Sequence, residues 1–387
     1  MEKIKVAFIG IGYRGKQLLR LLQNIPTFNI VAIADPGIDI PTFEEIPCYH
    51  KGIEDYKNML QEHHPQLVII ASPWKYQVKH AIECMNAGCH IAIEIKGGLY
   101  LNEYQPVIDV SEKLRFRVFP LENTVFMQEN LAVFNMVSKG LLGDIVYMRG
   151  GYRHDIRYLL IDDTGCLGNP HMPEGSWRST FYQTENGDLY PTHGLAPLCV
   201  IAGINRKDEI KYLTSFASKA RGILQRIKDS GGDTNVKIST GDVVVTQLET
   251  ASGVLITLTH DTTLPRPRSL DFEVQGSKGI WDGDNRQIYI EGLSPWEKWE
   301  SDQTYIDQYE HKYWKMWGKE ALEIDTHHHG MDFIMLKALE ADMMDTHSYP
   351  TNIRDLALWT SVSPYSKLSI AERRTISIDQ STPNNGR

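Results

Sequence analysis

Six residues near the N-terminus constrain the fold more than any other stretch: Gly10-Ile11-Gly12-Tyr13-Arg14-Gly15, a G-x-G-x-x-G. The apolar run Val6-Ala7-Phe8-Ile9 leads into it. A helical pattern follows from Lys16, with Leu18, Leu19, Leu21 and Leu22 on one face. A second apolar run, Ile30-Val31-Ala32-Ile33-Ala34, ends on Asp35. Strand, glycine turn, helix, and a second strand closed by an acid form the context that makes three glycines a dinucleotide fingerprint. Gly10 permits the tight turn, Gly12 lets the backbone approach a pyrophosphate, and Gly15 allows close packing of helix on strand. The helix N-terminus offers N–H groups and a positive dipole end to phosphates. Asp35 suits the ribose hydroxyls and repels a 2′-phosphate, so NAD is expected rather than NADP.

The same rhythm continues. Residues 68–72, 90–94 and 117–121 read as strands, and helices are expected through His80 to Met85 and over residues 107–113. Alternation of this kind predicts a doubly wound parallel sheet, with functional residues where strands end: Ser72, Glu94 and Asn123. Beyond a helix at 133–139, alternating strand sequences run through 144–148, 243–248, 254–260, 270–276 and 287–290. They predict an open, mainly antiparallel sheet with one face packed and one free. Residues 164–185, rich in Gly, Pro and polar side chains, read as an active-site loop, and helices are expected at 331–344 and 352–367. The expected fold class is α/β in two domains. Residues 1–122 form an NAD-binding Rossmann domain and residues 123–387 a substrate and dimerisation domain, whose terminal helices are free to pack back on the first.

Composition narrows the function. A length of 387 residues suits two cores, and 42% hydrophobic content suits a soluble globular protein. A net charge of −9 without a basic stripe argues against a nucleic-acid partner. Five cysteines at spacings unlike a zinc site read as reduced thiols. No apolar stretch reaches the ~20 residues of a membrane span, and the first strand begins too early for a signal peptide, so a cytoplasmic enzyme is expected.

A Rossmann domain followed by a sheet domain resembles the glucose–fructose oxidoreductase/inositol dehydrogenase (Gfo/Idh/MocA) superfamily. Within it, Leu121-Glu122-Asn123, Tyr152-Arg153-His154-Asp155, Trp177-Arg178 and the run Asn186-Gly187-Asp188-Leu189-Tyr190-Pro191-Thr192-His193-Gly194 look like glycoside hydrolase family 109. So do Gly232-Asp233-Thr234-Asn235, Thr259-His260-Asp261-Thr262 and His329-Gly330-Met331-Asp332. The resemblance implies an α-N-acetylgalactosaminidase-like enzyme that uses NAD without consuming it. Its chemistry is oxidation at the sugar C3, elimination across C1–C2, water addition and re-reduction. It places Asp35, Trp74, Glu94, Asn123 and Trp177 around the cofactor, and Gly10, Gly12, Tyr13, Arg14, Gly15, Ser72 and Gln77 are expected to bind it with them. His193, Tyr190 and Tyr152 would be catalytic and Arg178 would bind substrate; His154, Arg268 and Lys96 are further candidates for substrate binding. His193 is assigned the proton relay at the C3 oxygen, and Tyr152 or Tyr190 the C2 base. No metal is expected. A homodimer or higher oligomer is implied, with a small-molecule or glycan substrate and neither nucleic acid nor membrane as partner.

Departures keep alternatives open. Dehydrogenases of the superfamily resemble one another in a Glu-Lys-Pro and in an Asp four residues before the catalytic His; here Ile95 follows Glu94 and Leu189 precedes His193. That favours the glycosidase over a sugar or glycoside 3-dehydrogenase, the second reading, and over a non-catalytic NAD sensor, the third. Family 109 usually shows Trp-x-x-His and Pro-Arg-Pro-Tyr where this chain has Trp74-Lys75-Tyr76-Gln77 and Pro265-Arg266-Pro267-Arg268. Arg268 and Lys96 would favour an anionic sugar or replace lost hydrogen bonds. His327-His328-His329 reads as a helix start lining the site rather than a metal cluster. The aromatics from Trp296 to Trp317 read either as a packed wrapping segment or as a wall of the glycan site.

Overall fold

A computed structural model of the chain describes residues 3–37, 43, 45–96, 99–169 and 171–378, with the side chains of 173 and 174 left out. It divides into two compact units: residues 1–126 with 312–358, and residues 127–311 with 359–387.

In the first unit strands and helices alternate: β1 (Ile4–Ile9), α1 (Tyr13–Leu22), β2 (Phe28–Ala34), β3 (Cys48–Tyr49), α2 (Tyr56–His63), β4 (Leu67–Ile70), α3 (Trp74–Asn86), β5 (His90–Ile93), α4 (Gln105–Leu114) and β6 (Val118–Pro120). The strands form one parallel sheet in the order β3-β2-β1-β4-β5-β6. All four residues of β4 are buried, as expected where helices cover both faces of a parallel sheet. Leu18, Leu19, Leu21 and Leu22 of α1 are buried. The helix α3 ends at Asn86, and Gly88, at φ +91°, takes the left-handed conformation that ends helices cheaply.

The second unit opens with α5 (Gln128–Ser138), β7 (Ile145–Arg153), α6 (Arg157–Leu160), α7 (Pro173–Thr184) and α8 (Thr192–Ala202). It continues through β8 (Ile210–Ala217), α9 (Gly222–Asp229), β9 (Val243–Thr250), β10 (Leu255–Asp261), β11 (Glu273–Gly276), β12 (Gly279–Asp282), β13 (Gln287–Ile290), β14 (Glu300–Ser301) and α10 (Gln303–Gln308). After α11 (Lys312–Ile324) and α12 (Met331–Met343), which belong to the first unit, α13 (Ile353–Glu372) crosses the boundary and β15 (Ile376–Ser377) ends the described chain. The nine strands lie in the order β14-β13-β12-β11-β7-β10-β9-β8-β15. Neighbours are antiparallel except β7 and β10, which run parallel with Tyr152 opposite His260.

Val244, Thr246 and Leu248 of β9 are buried in alternation, whereas Val146, Tyr212, Phe216 and Leu255 are exposed. A second small core gathers Ile156, Leu160, Tyr182, Leu189, Ile223 and Ile227.

Two expectations change. Residues 164–185 are not a continuous loop: α7 occupies their C-terminal half, with Trp177 and Phe181 one helical turn apart and their rings in edge contact. The aromatic run is not one wall. Trp296 and Trp299 are exposed in the second unit, while Tyr313 and Trp314 are buried in the first, bonded to the carbonyls of Ser348 and Phe126. Among the described residues, no helix is long and apolar enough to cross a membrane.

Candidate active site

In the first unit, the glycine turn is fixed by close approach. A Cβ on Gly10, itself at φ +90°, would lie 2.5 Å from Ser72 N, and one on Gly15 would lie 2.4 Å from Gly10 O. At Gly12 a Cβ would meet nothing within 4 Å. The middle glycine therefore borders open space at the start of α1, where a pyrophosphate needs close backbone approach. Asp35 lies at the end of β2, its Oδ2 accepting from Ile11 N at 2.7 Å and its Oδ1 from Gly37 N at 2.8 Å. Each oxygen keeps a further lone pair for a ribose hydroxyl.

Past the ends of β4, β5 and β6 the side chains are polar and buried. Ser72 Oγ meets His80 Nδ1 at 2.9 Å, and burial lowers His80 to about 4, so the ring is neutral at pH 7. Gln77 donates Nε2 to Ser72 O at 3.2 Å, which turns Oε1 the other way. Both Gln77 Oε1 and Asn123 Oδ1 are buried with no hydrogen-bond partner among the described residues. Two orphaned acceptors in the unit that carries the open glycine turn fit a ligand that brings phosphates and N–H or O–H donors, as NAD does. Trp74 is buried, with Lys96 Nζ 5.5 Å from its ring centroid.

The Arg14 guanidinium is engaged by two carboxylates. Its Nε donates to Glu94 Oε2 at 2.9 Å, and Nη1 and Nη2 clasp Asp332 at 2.5 and 2.6 Å. Burial alone would raise Asp332, but Arg14 and His328 outweigh it and hold the carboxyl well below the usual range. Glu94, sharing the same arginine through one bond, is pushed up by burial to about 7, with Asp332 adding to the rise. Tyr13 is exposed and bonds His327 Nε2 at 2.8 Å. His328 Nδ1 lies 2.6 Å from Asp332 Oδ2 in the turn before α12. Ligand-type atoms of Asp325, His328 and Asp332 come within 4.8 Å of one another. Both Asp332 oxygens are engaged by Arg14, so the cluster is an ion-pair network in this structure.

In the second unit, the sequence-predicted sugar residues converge. Tyr152 is near the end of β7, Tyr190 just precedes α8, and His193 is in its first turn. Ring centroids are 4.7 Å apart for Tyr152–Tyr190, 5.5 Å for Tyr152–His193 and 4.9 Å for Tyr190–His193. Glycine makes this possible. A Cβ on Gly150 would fall 2.4 Å from Gly194 O, and one on Gly194 would fall 2.4 Å from Gly151 N. Only a strand and a helix without side chains at these points can lie so close.

The Tyr190 backbone is held by Asp188 Oδ1 at 3.1 Å, and Asp188 O accepts from Ser363 Oγ of α13 at 2.6 Å. Arg178 on α7 stacks between rings, its guanidinium carbon 5.4 Å from the centroids of both Trp177 and Tyr190. His154 is 6.0 Å from Tyr152, and its backbone N–H bonds Asp261 O. Burial lowers its imidazole, and the neighbouring charge of Arg268 lowers it further, with His193 and Arg178 adding and Asp155 opposing. Arg266 is tied to Asp261 at 2.8 Å, whereas Arg268 on the same loop is exposed.

Tyr152, His154, Arg178, Tyr190, His193 and Arg268 thus share the second unit, together with Trp177, while Lys96 and the other cofactor candidates belong to the first. Sequence reasoning missed Asp332 and Asp188 as anchors; each had a signal, an acid within His329-Gly330-Met331-Asp332 or within Asn186-Gly187-Asp188.

Comparison with known proteins gives these clusters a setting. A family model described as "Oxidoreductase family, NAD-binding Rossmann fold" matches residues 4–95, and one described as "Glycosyl hydrolase 109, C-terminal domain" matches residues 126–383. A glycosyl hydrolase family 109 protein of Stenotrophomonas maltophilia is 33% identical, over 96% of this chain and 87% of its own. An alpha-N-acetylgalactosaminidase of Tannerella forsythia is 32% identical, over 95% and 84%. Among solved structures, an oxidoreductase domain protein from Kribbella flavida has a TM-score of 0.75 at 16% identity, covering 98% of this chain and 100% of its own. Levoglucosan dehydrogenase, solved with NADH and levoglucosan, has a TM-score of 0.73 at 16% identity, covering 98% and 100%. The chain belongs to glycosyl hydrolase family 109 and carries the NAD-binding Rossmann fold of an oxidoreductase family.

Proposed function

We propose that this enzyme hydrolyses glycosides of the α-N-acetylgalactosaminide type with NAD as a regenerated cofactor, and that Tyr152, Tyr190 and His193 carry its proton transfers. The observation that carries the reading is the packing of those three rings within 6 Å of one another at Gly150, Gly151 and Gly194. NAD, when bound, supplies a hydride acceptor at C3 and returns the hydride at the end. A C3 ketone acidifies the C2 proton, and Tyr190 or Tyr152 takes it as base. His193 takes and returns the proton at the C3 oxygen, a task suited to imidazole near neutral pH. Arg178, fixed against the Tyr190 ring, presents positive charge to the enolate-like intermediate. His154 and Arg268 contact the sugar or its neighbour, and Arg268 favours an anionic group there.

In this reading the exposed sheet residues Val146, Tyr212, Phe216 and Leu255 meet a second copy of the chain, and light scattering of the purified protein tests for the dimer. A cytoplasmic location fits five free cysteines.

The deciding experiment supplies a panel of nitrophenyl glycosides with and without NAD⁺, following nitrophenol and the NADH band together. Nitrophenol release restored by catalytic NAD⁺ after cofactor stripping, without NADH build-up, is the expected result. NADH rising with a keto-sugar and no aglycone release would replace the reading with a sugar 3-dehydrogenase.

A further inference from the structure

Asp332 accepts more than an ion pair requires. Besides the two Arg14 bonds, its Oδ1 accepts from Asn123 Nδ2 at 2.9 Å, and its own N–H is held by Asp325 Oδ2 at 3.0 Å. A carboxylate held ionised by Arg14 has only acceptors to offer, so the Asn123 atom facing it must be the amide nitrogen. That assignment follows from chemistry and leaves Asn123 Oδ1 pointing the other way, buried and with no partner among the described residues. A buried carbonyl left without a donor costs about 1–3 kcal/mol, which a donor brought by a ligand would recover.

The sheet order says which part of the cofactor brings that donor. Asp35 is at the end of β2, on one side of β1 and its glycine turn, whereas Asn123 follows β6, at the far edge beyond β4 and β5. A dinucleotide with its adenosine ribose at Asp35 and its pyrophosphate at the glycine turn directs its other nucleoside toward β4, β5 and β6.

We propose that Asp332 is a positioning residue for the cofactor: by fixing the amide of Asn123 it presents Oδ1 as an acceptor to an N–H or O–H donor of the nicotinamide nucleoside. The inference rests on the NAD reading and goes beyond it, because it gives a task to Asp332, which sits 209 residues from Asn123 and meets it through one hydrogen bond. The same carboxylate clasps both terminal nitrogens of Arg14, leaving Nε to orient Glu94.

The test is calorimetric binding of NAD⁺, ADP-ribose and ADP to the cofactor-stripped full chain and to two variants, Asp332→Asn and Asn123→Leu. Both variants are expected to bind NAD⁺ about tenfold more weakly or worse, the size of one buried bond lost with its partner left unpaired, while ADP binds as in the parent. Loss confined to NAD⁺ identifies the carboxamide as the donor, and loss shared by ADP-ribose identifies the ribose hydroxyl; either supports the proposal. Equal weakening of ADP and NAD⁺ in Asp332→Asn would reduce Asp332 to an anchor of the fold. If Asp332→Asn does not fold, Asn123→Leu still decides, because it leaves the Arg14–Asp332 pair in place. Unchanged NAD⁺ affinity in Asn123→Leu would overturn the proposal. Failure of the parent to bind NAD⁺ at all would instead sink the cofactor reading beneath it.

Discussion

Gly12 and Gly150 look alike in sequence and do opposite work. A side chain at Gly12 would enter open space, whereas one at Gly150 would collide with the backbone of Gly194 at 2.4 Å. The first glycine keeps room for something the chain does not contain. The second removes room so that two elements touch and bring Tyr152 beside His193. Around the glycine turn the chain keeps space beside its backbone; around Tyr152 and His193 it removes it.

Adding one methyl group at each site breaks the comparison most directly. Gly150→Ala is expected to lose about 1–3 kcal/mol of stability by overpacking. Pushing α8 from β7 should also cut turnover about 100-fold, the effect of misplacing a catalytic group by an ångström. Melting and steady-state kinetics read both; unchanged values would mean the contact is slack. Gly12→Ala is the milder mirror image, with an unchanged melting temperature but NAD⁺ affinity lower by about tenfold, one charge-assisted hydrogen bond. A stability loss there, or full affinity, would erase the contrast.

Charge sharpens the comparison further. Glu94, raised to about 7, favours the folded state while protonated. That contribution is complete below the free carboxyl value and is lost as pH rises through about 7. Stability of the cofactor-free protein should therefore carry a falling step that ends near pH 7, and Glu94→Gln should remove it. A step that persists in the variant belongs to another group. The smallest effect is expected at Arg268→Gln, which takes away one of the positive charges depressing His154. Its imidazole should titrate higher, by nuclear magnetic resonance, with NAD⁺ binding untouched; no movement would place Arg268 too far away to influence the sugar cluster.

The cofactor half was legible in the sequence because its information is local. Strand, turn, helix and acid lie within residues 4–35, and each residue's task follows from its neighbours in the chain. The convergence of Tyr152, Tyr190 and His193 was legible only through resemblance. Tyr152 and His193 meet because Gly150 and Gly151 allow it, and two glycines inside a strand pattern more often signal a bulge than a docking groove. Residues 164–185 were read as loop from their composition, yet α7 forms there, with Trp177 and Phe181 joined one turn apart. Nothing near Asp332 in the sequence points to its role, for its partner Arg14 is 318 residues away and no periodicity reaches that far.

That distance has a consequence for the order in which the molecule can be made. The first unit is written in two instalments, 1–126 and 312–358, with most of the second between them, and α13 is shared by both. A chain leaving the ribosome has its glycine turn and all six parallel strands long before the carboxylate that clasps Arg14 exists. Arg14 and Glu94 are both made well before Asp332, which arrives only with α12. A fragment cut after residue 122 contains the fingerprint and the six strands, but not the acid that clasps Arg14.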